Sequence, residues 1–298
     1  MSRIVVLGGE GMLGHKMFQI LGRRYPGTVC TIRGALAEPF YRRIGNYVPE
    51  LVIEGVDVMD LDGLIGRLGV LSPEVIVNCI GIVKQRDEAA SAIPSLTINS
   101  LLPHRLAAAA AAWSGRVFHF STDCVFSGRR GGYSEDDLSD AEDLYGRTKF
   151  LGEVGVANAL TLRTSIIGRE LSQFRSLLEW FLAQRGGAVR GFTRHLWSGV
   201  STNYLARLVG DLIADHPALH GIYQVSSGTI NKYDLLILLR DAFRLDVEIT
   251  PDDRESCDRS LRGGRFQTAT GIICPPWTAM AAELAADPTP YPSWRSDS

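Results

Sequence analysis

The segment Gly8-Gly9-Glu10-Gly11-Met12-Leu13-Gly14 constrains this chain more than any other. It follows the apolar run Ile4-Val5-Val6-Leu7 and opens an amphipathic pattern over 11–23. In a G-x-x-G-x-x-G spacing the first glycine permits a tight turn. The second lets the backbone approach a pyrophosphate, and the third lets a helix pack closely on the strand before it. The free N–H groups and positive dipole end of that helix then face phosphate oxygens. A strand in front and a helix behind give the motif its meaning. Gly8, Gly11, Met12, Leu13 and Gly14 are therefore the expected dinucleotide contacts.

The rest of the chain keeps the same rhythm. Strand-like runs are expected over 4–7, 28–33, 51–57, 74–80, 117–122, 160–167 and 221–226. Helical patterns lie between them, over 11–23, 61–68, 103–113, 144–158 and 202–215. Runs such as Val75-Ile-Val-Asn-Cys-Ile80 are apolar throughout, which suits a parallel sheet covered on both faces. The alternation predicts an α/β, doubly wound parallel sheet of the Rossmann kind. After residue 168 the rhythm changes. Helices over 171–184 and 232–243 and a short strand over 246–250 suggest a smaller, discontinuous α/β lobe that binds substrate. The division is 1–168 plus about 198–228 for the dinucleotide domain, and 169–197 plus 229–286 for the second lobe. Residues 287–298, rich in proline, read as a flexible tail.

Composition excludes several classes. In 298 residues, 31 Lys and Arg balance 33 Asp and Glu for a net charge of −2, so no basic field draws nucleic acid. Five cysteines form no C-x-x-C pair, which fits reduced thiols and a cytoplasmic protein. No signal peptide is expected. No apolar run reaches the ~18 residues that a membrane span needs. The six histidines form no H-x-x-x-H or H-E-x-x-H pattern, so no metal is expected.

The second strand ends at Thr31-Ile32-Arg33 with no carboxylate to bind a ribose 2′-hydroxyl. Arg33 can instead pair with a 2′-phosphate, which favours NADPH, with NADH as the alternative. Asp57 and Val58, after the third strand, are placed to hold adenine or to form an ordinary turn. His15 can approach the phosphates, although a structural role is the plainer reading.

Tyr145-Gly-Arg-Thr-Lys149 puts a phenol and an ammonium on one helical face. The ammonium stabilises a phenolate, so the tyrosine becomes a usable proton donor. Upstream, Ser121-Thr122-Asp123-Cys124-Val125-Phe126 ends a sheet strand, the edge at which ligands gather in open α/β sheets. Thr122 can offer its hydroxyl to the same substrate oxygen.

Together these segments resemble the extended short-chain dehydrogenase/reductase superfamily, and more narrowly the dTDP-4-dehydrorhamnose reductase (RmlD-like) family. The residues carrying the likeness are Gly8–Gly14, Val77-Asn-Cys-Ile-Gly81, Ile98-Asn99, Ser121–Phe126 with Gly128, Tyr145–Lys149 followed by Leu151-Gly-Glu153, Arg163-Thr-Ser165 and Asp258-Arg259-Ser260-Leu261. The resemblance implies NAD(P)H-dependent reduction of the C4 keto group of a nucleotide-linked 4-keto-6-deoxy sugar, within activated-sugar biosynthesis for a cell-surface polysaccharide or glycoside. Tyr145 would protonate the alkoxide, Lys149 would assist it and hold the nicotinamide ribose, and Thr122 would share the oxygen. Cys79, Ile80, Gly81 and Asn99 would line the cofactor. Asp123, Val125 and Phe126 would line the substrate.

Arg259 and Trp197 are the preferred second-lobe contacts for a nucleoside diphosphate, ahead of Arg169, Arg190, Arg194 and Arg265. Cys124 departs from the Tyr common in the family, and so does Ile-Val-Lys-Gln-Arg-Asp-Glu over 82–88. Asp123-Cys124 in place of Asp-Glu removes the acid that a 4,6-dehydratase needs. Two other readings stay open: a nucleotide-sugar epimerase with tightly held NAD, and a non-catalytic regulatory subunit resembling the partner of methionine adenosyltransferase. A homodimer is compatible with any of them.

Overall fold

The computed structural model describes residues 3–83 and 91–295. Side chains of the first strand alternate between two apolar layers. Ile4 and Val6 join Met17, Phe18 and Phe118 on one face of the sheet, while Val5 and Leu7 join Leu61, Leu64, Leu102 and Leu106 on the other. A strand buried on both faces must be apolar throughout, and this one is.

In chain order the strands are β1 (Ile4–Leu7), β2 (Val29–Thr31), β3 (Val52–Ile53), β4 (Val75–Asn78), β5 (Arg116–Ser121), β6 (Ala159–Arg163), β7 (Ile166–Ile167), β8 (Ala188–Phe192), β9 (His195–Trp197), β10 (Val200–Ser201), β11 (Gly221–Gln224), β12 (Ile230–Asn231), β13 (Glu248–Asp252) and β14 (Cys257–Asp258). Seven of them form a parallel sheet in the order β3-β2-β1-β4-β5-β6-β11. The chain winds outward from β1 to β3, then crosses back to β4, which pairs with β1 through Leu7 and Asn78. The crevice at that reversal is where doubly wound sheets bind dinucleotides. Beyond β6, strand β9 pairs with β12 and β14, and β8 pairs with β13. The helix Thr202–Asp215 packs on the first helix, Met12–Arg24, and leads back to β11 at the sheet edge.

Some elements differ from their sequence expectation. The helix expected over 144–158 stops after Leu144–Leu151. A Cβ at Gly152 would lie 1.8 Å from the Asn99 carbonyl oxygen, so two backbones meet there and the chain turns away. Ahead of the helix Leu102–Ala111, residues Leu96–Leu101 form a π-helical turn that carries Asn99. Such bulges are often found at functional sites.

The segment after 286 is not loose. Tyr291 and Trp294 are buried in the main hydrophobic cluster. Lys16 Nζ, on the first helix, pairs with Asp287 at 2.6 Å and donates to the Thr289 hydroxyl at 3.0 Å. The expectation of a flexible tail therefore fails for 287–295, because its aromatic residues find an apolar seat and its Asp finds a buried cation. Residues 296–298 lie outside the described residues. No described helix is long and apolar enough to cross a membrane.

Candidate active site

The glycine loop is built by close backbone approach. Gly8 has φ +77°, the left-handed region that favours glycine. A Cβ at Gly14 would lie 1.9 Å from the Gly8 carbonyl oxygen, so the first helix packs there only on a glycine. Gly11 behaves differently. Its nearest neighbour would be Gly8 O at 3.4 Å, with no other atom within 4 Å, so the space above it is open. No side chain caps this helix end. An open glycine under an uncapped helix N-terminus suits a pyrophosphate. Gly14→Ala is expected to cost roughly 1–3 kcal/mol or more, the scale of overpacking. Gly11→Ala, at φ −74°, is expected to leave thermal stability unchanged and to weaken dinucleotide binding. Parallel melting and fluorescence titrations check both outcomes.

Residues following β4 complete this crevice. A Cβ at Gly8 would meet the Ile80 side chain at 2.9 Å, and one at Gly81 would lie 3.5 Å from Asn99 Oδ1 and 3.9 Å from Lys149 Nζ. Asn99 is locked by donating to the Ile82 carbonyl at 3.1 Å and accepting from the Ile82 N–H at 2.9 Å. The fold thus brings Gly8, Gly11 and Gly14 together with Cys79 and Ile80, and Gly81 next to Asn99 and Lys149, while Leu13 packs into the core. These groups fit a dinucleotide. Asp57 is exposed and accepts from its own Met59 N–H at 2.9 Å, while Val58 packs against the second apolar layer. Arg33 is exposed at the end of β2. His15 is structural: its Nδ1–H donates to the Gly11 carbonyl at 2.9 Å and its Nε2 accepts from the Tyr291 hydroxyl at 2.9 Å. Burial lowers its pKa to about 4, so the ring stays neutral and offers phosphates no charge.

The second half of the site sits at the end of β5. Thr122 Oγ1 accepts from the Cys124 N–H at 3.1 Å, which caps a turn over Asp123–Val125. The helix Leu144–Leu151 lies directly against that turn, since a Cβ at Gly146 would be 2.2 Å from the Cys124 carbonyl oxygen. Asp143 caps this helix by accepting from the Gly146 N–H at 2.7 Å. Tyr145 is thereby brought beside Thr122. Burial, followed by the nearby Cys124 thiol, pushes the phenol well above its usual range, and the Thr122 hydroxyl opposes that shift. One turn further, Lys149 Nζ donates to the Phe120 carbonyl at 2.7 Å. Burial lowers its pKa to about 8, and Glu153 works against that shift. Before any ligand binds, then, Tyr145 holds its proton firmly, contrary to the simple expectation of a lowered phenol pKa. A group that must donate a proton is protonated at neutral pH.

Beneath this helix, Glu153 accepts from Ser121 at 2.6 Å and from Arg163 Nε and Nη2 at 2.9 and 2.6 Å. Both members of the Arg163–Glu153 pair are only 3% exposed.

The second lobe faces the same edge with its three-stranded sheet. Lys232, following β12, lies 4.0 Å over the Trp197 ring. Asp123 is buried, and burial raises its pKa against the opposing charges of Lys232 and Arg259. None of the described ion pairs joins Asp123 to either cation, although both act on its carboxylate. Arg259 is held by the Phe126 and Ser127 carbonyls at 2.9 and 3.3 Å.

Three expected substrate contacts do not reach the cleft. Val125 and Phe126 have no exposed surface and pack with Tyr133 and Leu261. Trp197 is 3% exposed, with Lys232 over one face and Trp277 packed 5.0 Å away. Val125 and Phe126 are scaffold because the turn after β5 rotates them inward, and Trp197 is scaffold because β9 carries it into the main core. Arg169 and Arg265 are taken up by ion pairs with Glu179 and Asp136. The 84–90 part of the divergent segment 82–88 lies outside the described residues. Sequence reasoning missed Lys232 and named Glu153 without assigning it a role. Lys232 had one visible signal: Lys16, Lys84, Lys149 and Lys232 are the only lysines among 31 basic residues. Lys16 and Lys149 are buried and Lys232 is half-buried.

The glycine crevice, the seven-stranded sheet and the Thr122–Tyr145–Lys149 set define an extended-type short-chain dehydrogenase/reductase, an NAD(P)-dependent oxidoreductase. The chain belongs to the RmlD substrate binding domain family, whose model matches residues 2–285. It is 31% identical over 233 residues to a probable dTDP-4,6-dihydroxy-2-methyloxan-3-one 4-ketoreductase of Streptomyces antibioticus, an alignment covering 71% of this chain and 74% of that one. It is 26% identical to methionine adenosyltransferase 2 subunit beta of Danio rerio, over 82% of this chain and 74% of that one. Among solved structures, dTDP-4-dehydrorhamnose reductase of Bacillus anthracis in complex with NADP superposes with a TM-score of 0.77 at 17% identity, covering 97% of this chain and 100% of that one. The likeness to that structure is one of fold.

Proposed function

We propose that this chain reduces the C4 keto group of a nucleotide-linked 4-keto-6-deoxy sugar with NAD(P)H. The observation that carries the proposal is Tyr145 beside Thr122, with Lys149 one turn along the same helix, next to a glycine loop with open space at Gly11. Gly11 and the open N-terminus of the first helix would hold the pyrophosphate, and Gly81, Asn99 and Lys149 the nicotinamide half. When bound, the reduced nicotinamide supplies a hydride to the carbonyl carbon. Thr122 and Tyr145 orient the carbonyl oxygen. As the C=O π electrons move onto that oxygen, Tyr145 gives it the phenolic proton. Thr122 and the Lys149 ammonium stabilise the phenolate left behind. Lys232 and Arg259 supply positive charge for the substrate diphosphate, and Asp123 accepts from a sugar hydroxyl. The product is a deoxy sugar still attached to its nucleotide and ready for glycosyl transfer. Five free cysteines support a reducing, cytoplasmic setting.

Likeness to the Danio rerio subunit favours a second reading, a regulatory chain that binds a dinucleotide without turnover. A single assay separates the two. NADH and NADPH oxidation is followed at 340 nm with dTDP-, UDP- and GDP-linked 4-keto-6-deoxy sugars. Oxidation with at least one sugar is expected. Dinucleotide binding with no oxidation on any of them would overturn the reductase reading in favour of the regulatory one.

A further inference from the structure

Sheets of this kind distinguish their dinucleotides at the end of β2, where a carboxylate accepts a hydrogen bond from the adenosine ribose 2′-hydroxyl. The β2 strand here runs into Ile32 and Arg33 and carries no acid. The fold delivers one from elsewhere. Glu10, inside the glycine loop, accepts through Oε2 from the Arg33 backbone N–H at 3.1 Å and from the Tyr41 hydroxyl. Tyr41 is itself held in place, since its oxygen accepts from the Gly34 N–H at 3.1 Å.

The loop has little freedom to carry this carboxylate away. The Gly9 N–H donates to the Thr31 carbonyl at 2.8 Å, the Tyr47 hydroxyl donates to the Gly9 carbonyl, and a Cβ at Gly9 would collide with the Cys30 side chain at 2.7 Å. Glu10 is half-buried, and its Oε1 accepts no hydrogen bond from any described residue. One oxygen is thus pinned at the β2 end while the other remains available. Arg33 binds Glu10 through its backbone alone, and its exposed side chain forms no ion pair with any described residue.

We infer that Glu10 reads the 2′ position of the bound dinucleotide and makes NADH an accepted partner of this crevice. A carboxylate can accept a bond from a ribose hydroxyl, whereas it repels a 2′-phosphate at the same place. Binding of NADPH therefore sets the Arg33 guanidinium against Glu10, and NADH has no such conflict. The assignment rests on the dinucleotide-dependent reading above and concerns a residue that takes no part in proton transfer.

The test is binding, not turnover. Dissociation constants for NADH and NADPH are measured by nucleotide fluorescence and calorimetry on the wild type, Glu10→Gln and Glu10→Ala. Gln keeps an acceptor for Arg33 and Tyr41 while removing the charge, and Ala removes both. The affinity ratio of NADPH to NADH is expected to rise by roughly fivefold or more in each folded variant, in line with the removal of a like charge. A smaller rise, or a fall, overturns the role of Glu10 and leaves the reductase proposal standing. A wild-type protein that binds neither nucleotide overturns the dinucleotide reading itself, and Glu10 with it.

Discussion

Tyr145→Phe is expected to lower kcat for keto-sugar reduction by about 10²–10⁴-fold, the scale of general acid catalysis, while dinucleotide binding persists. Loss of one oxygen has this effect because no other described group can take over. Asp123 faces two cations and accepts a bond from Thr122 at 3.2 Å. Tyr145 combines a proton held at neutral pH with Lys149 one helical turn away to balance the charge it will carry. The pH profile follows from Lys149. Its ammonium stabilises the phenolate, and its pKa is lowered to about 8. Below that value the charge is present. As pH rises through it the charge is lost, so kcat should decline on the alkaline side. Rapid-mixing kinetics from pH 6 to 9.5 on the wild type and the Phe variant check both statements. Near-wild-type turnover in the variant would remove Tyr145 as the acid.

The second large effect falls on stability. Arg163→Leu is expected to destabilise the protein by about 3–5 kcal/mol, the usual cost of breaking a buried ion pair from one side. Glu153 receives two bonds from Arg163 and one from Ser121 and has almost no contact with water. Without the guanidinium it is a carboxylate in an apolar setting. Arg163 also lies 5.1 Å over the Phe126 ring, a contact that Leu does not replace in kind. Urea unfolding measures the loss. The double variant Arg163→Leu with Glu153→Gln should recover part of it, because the orphaned charge is then gone. No recovery would mean that packing, not charge, holds this layer together.

How far these features were legible in sequence depends on how far apart the partners lie along the chain. The glycine loop, the alternating strands and helices, and the Tyr145–Lys149 spacing are short-range patterns, and the fold realises them. Thr122 was readable because strand ends gather ligands in open sheets. Val125 and Phe126 share a segment with Thr122 but not its orientation. A turn of three residues decides that orientation, and no periodicity encodes it. Glu10 carries no local signal, since its partner Arg33 lies 23 residues away. Lys232 stands at a helix start with no local signal of a partner, and only the pairing of β12 with β9 brings it over Trp197. The proline-rich segment after 286 misled for the same reason. Pro288, Pro290 and Pro292 signal irregular backbone, but irregular backbone can be firmly seated when Tyr291 and Trp294 supply the burial.

That seating has a consequence for how the molecule comes into being. The helix behind the glycine loop leaves the ribosome long before its partners do: Lys16 meets Asp287 only 271 residues later, and His15 meets Tyr291 after 276. Until those residues emerge, the nascent helix carries an unmatched cation and an uncovered apolar flank, which is the kind of surface that chaperones hold. The cradle for phosphates is thus specified by one stretch of chain and sealed only once Asp287 and Tyr291 have been made.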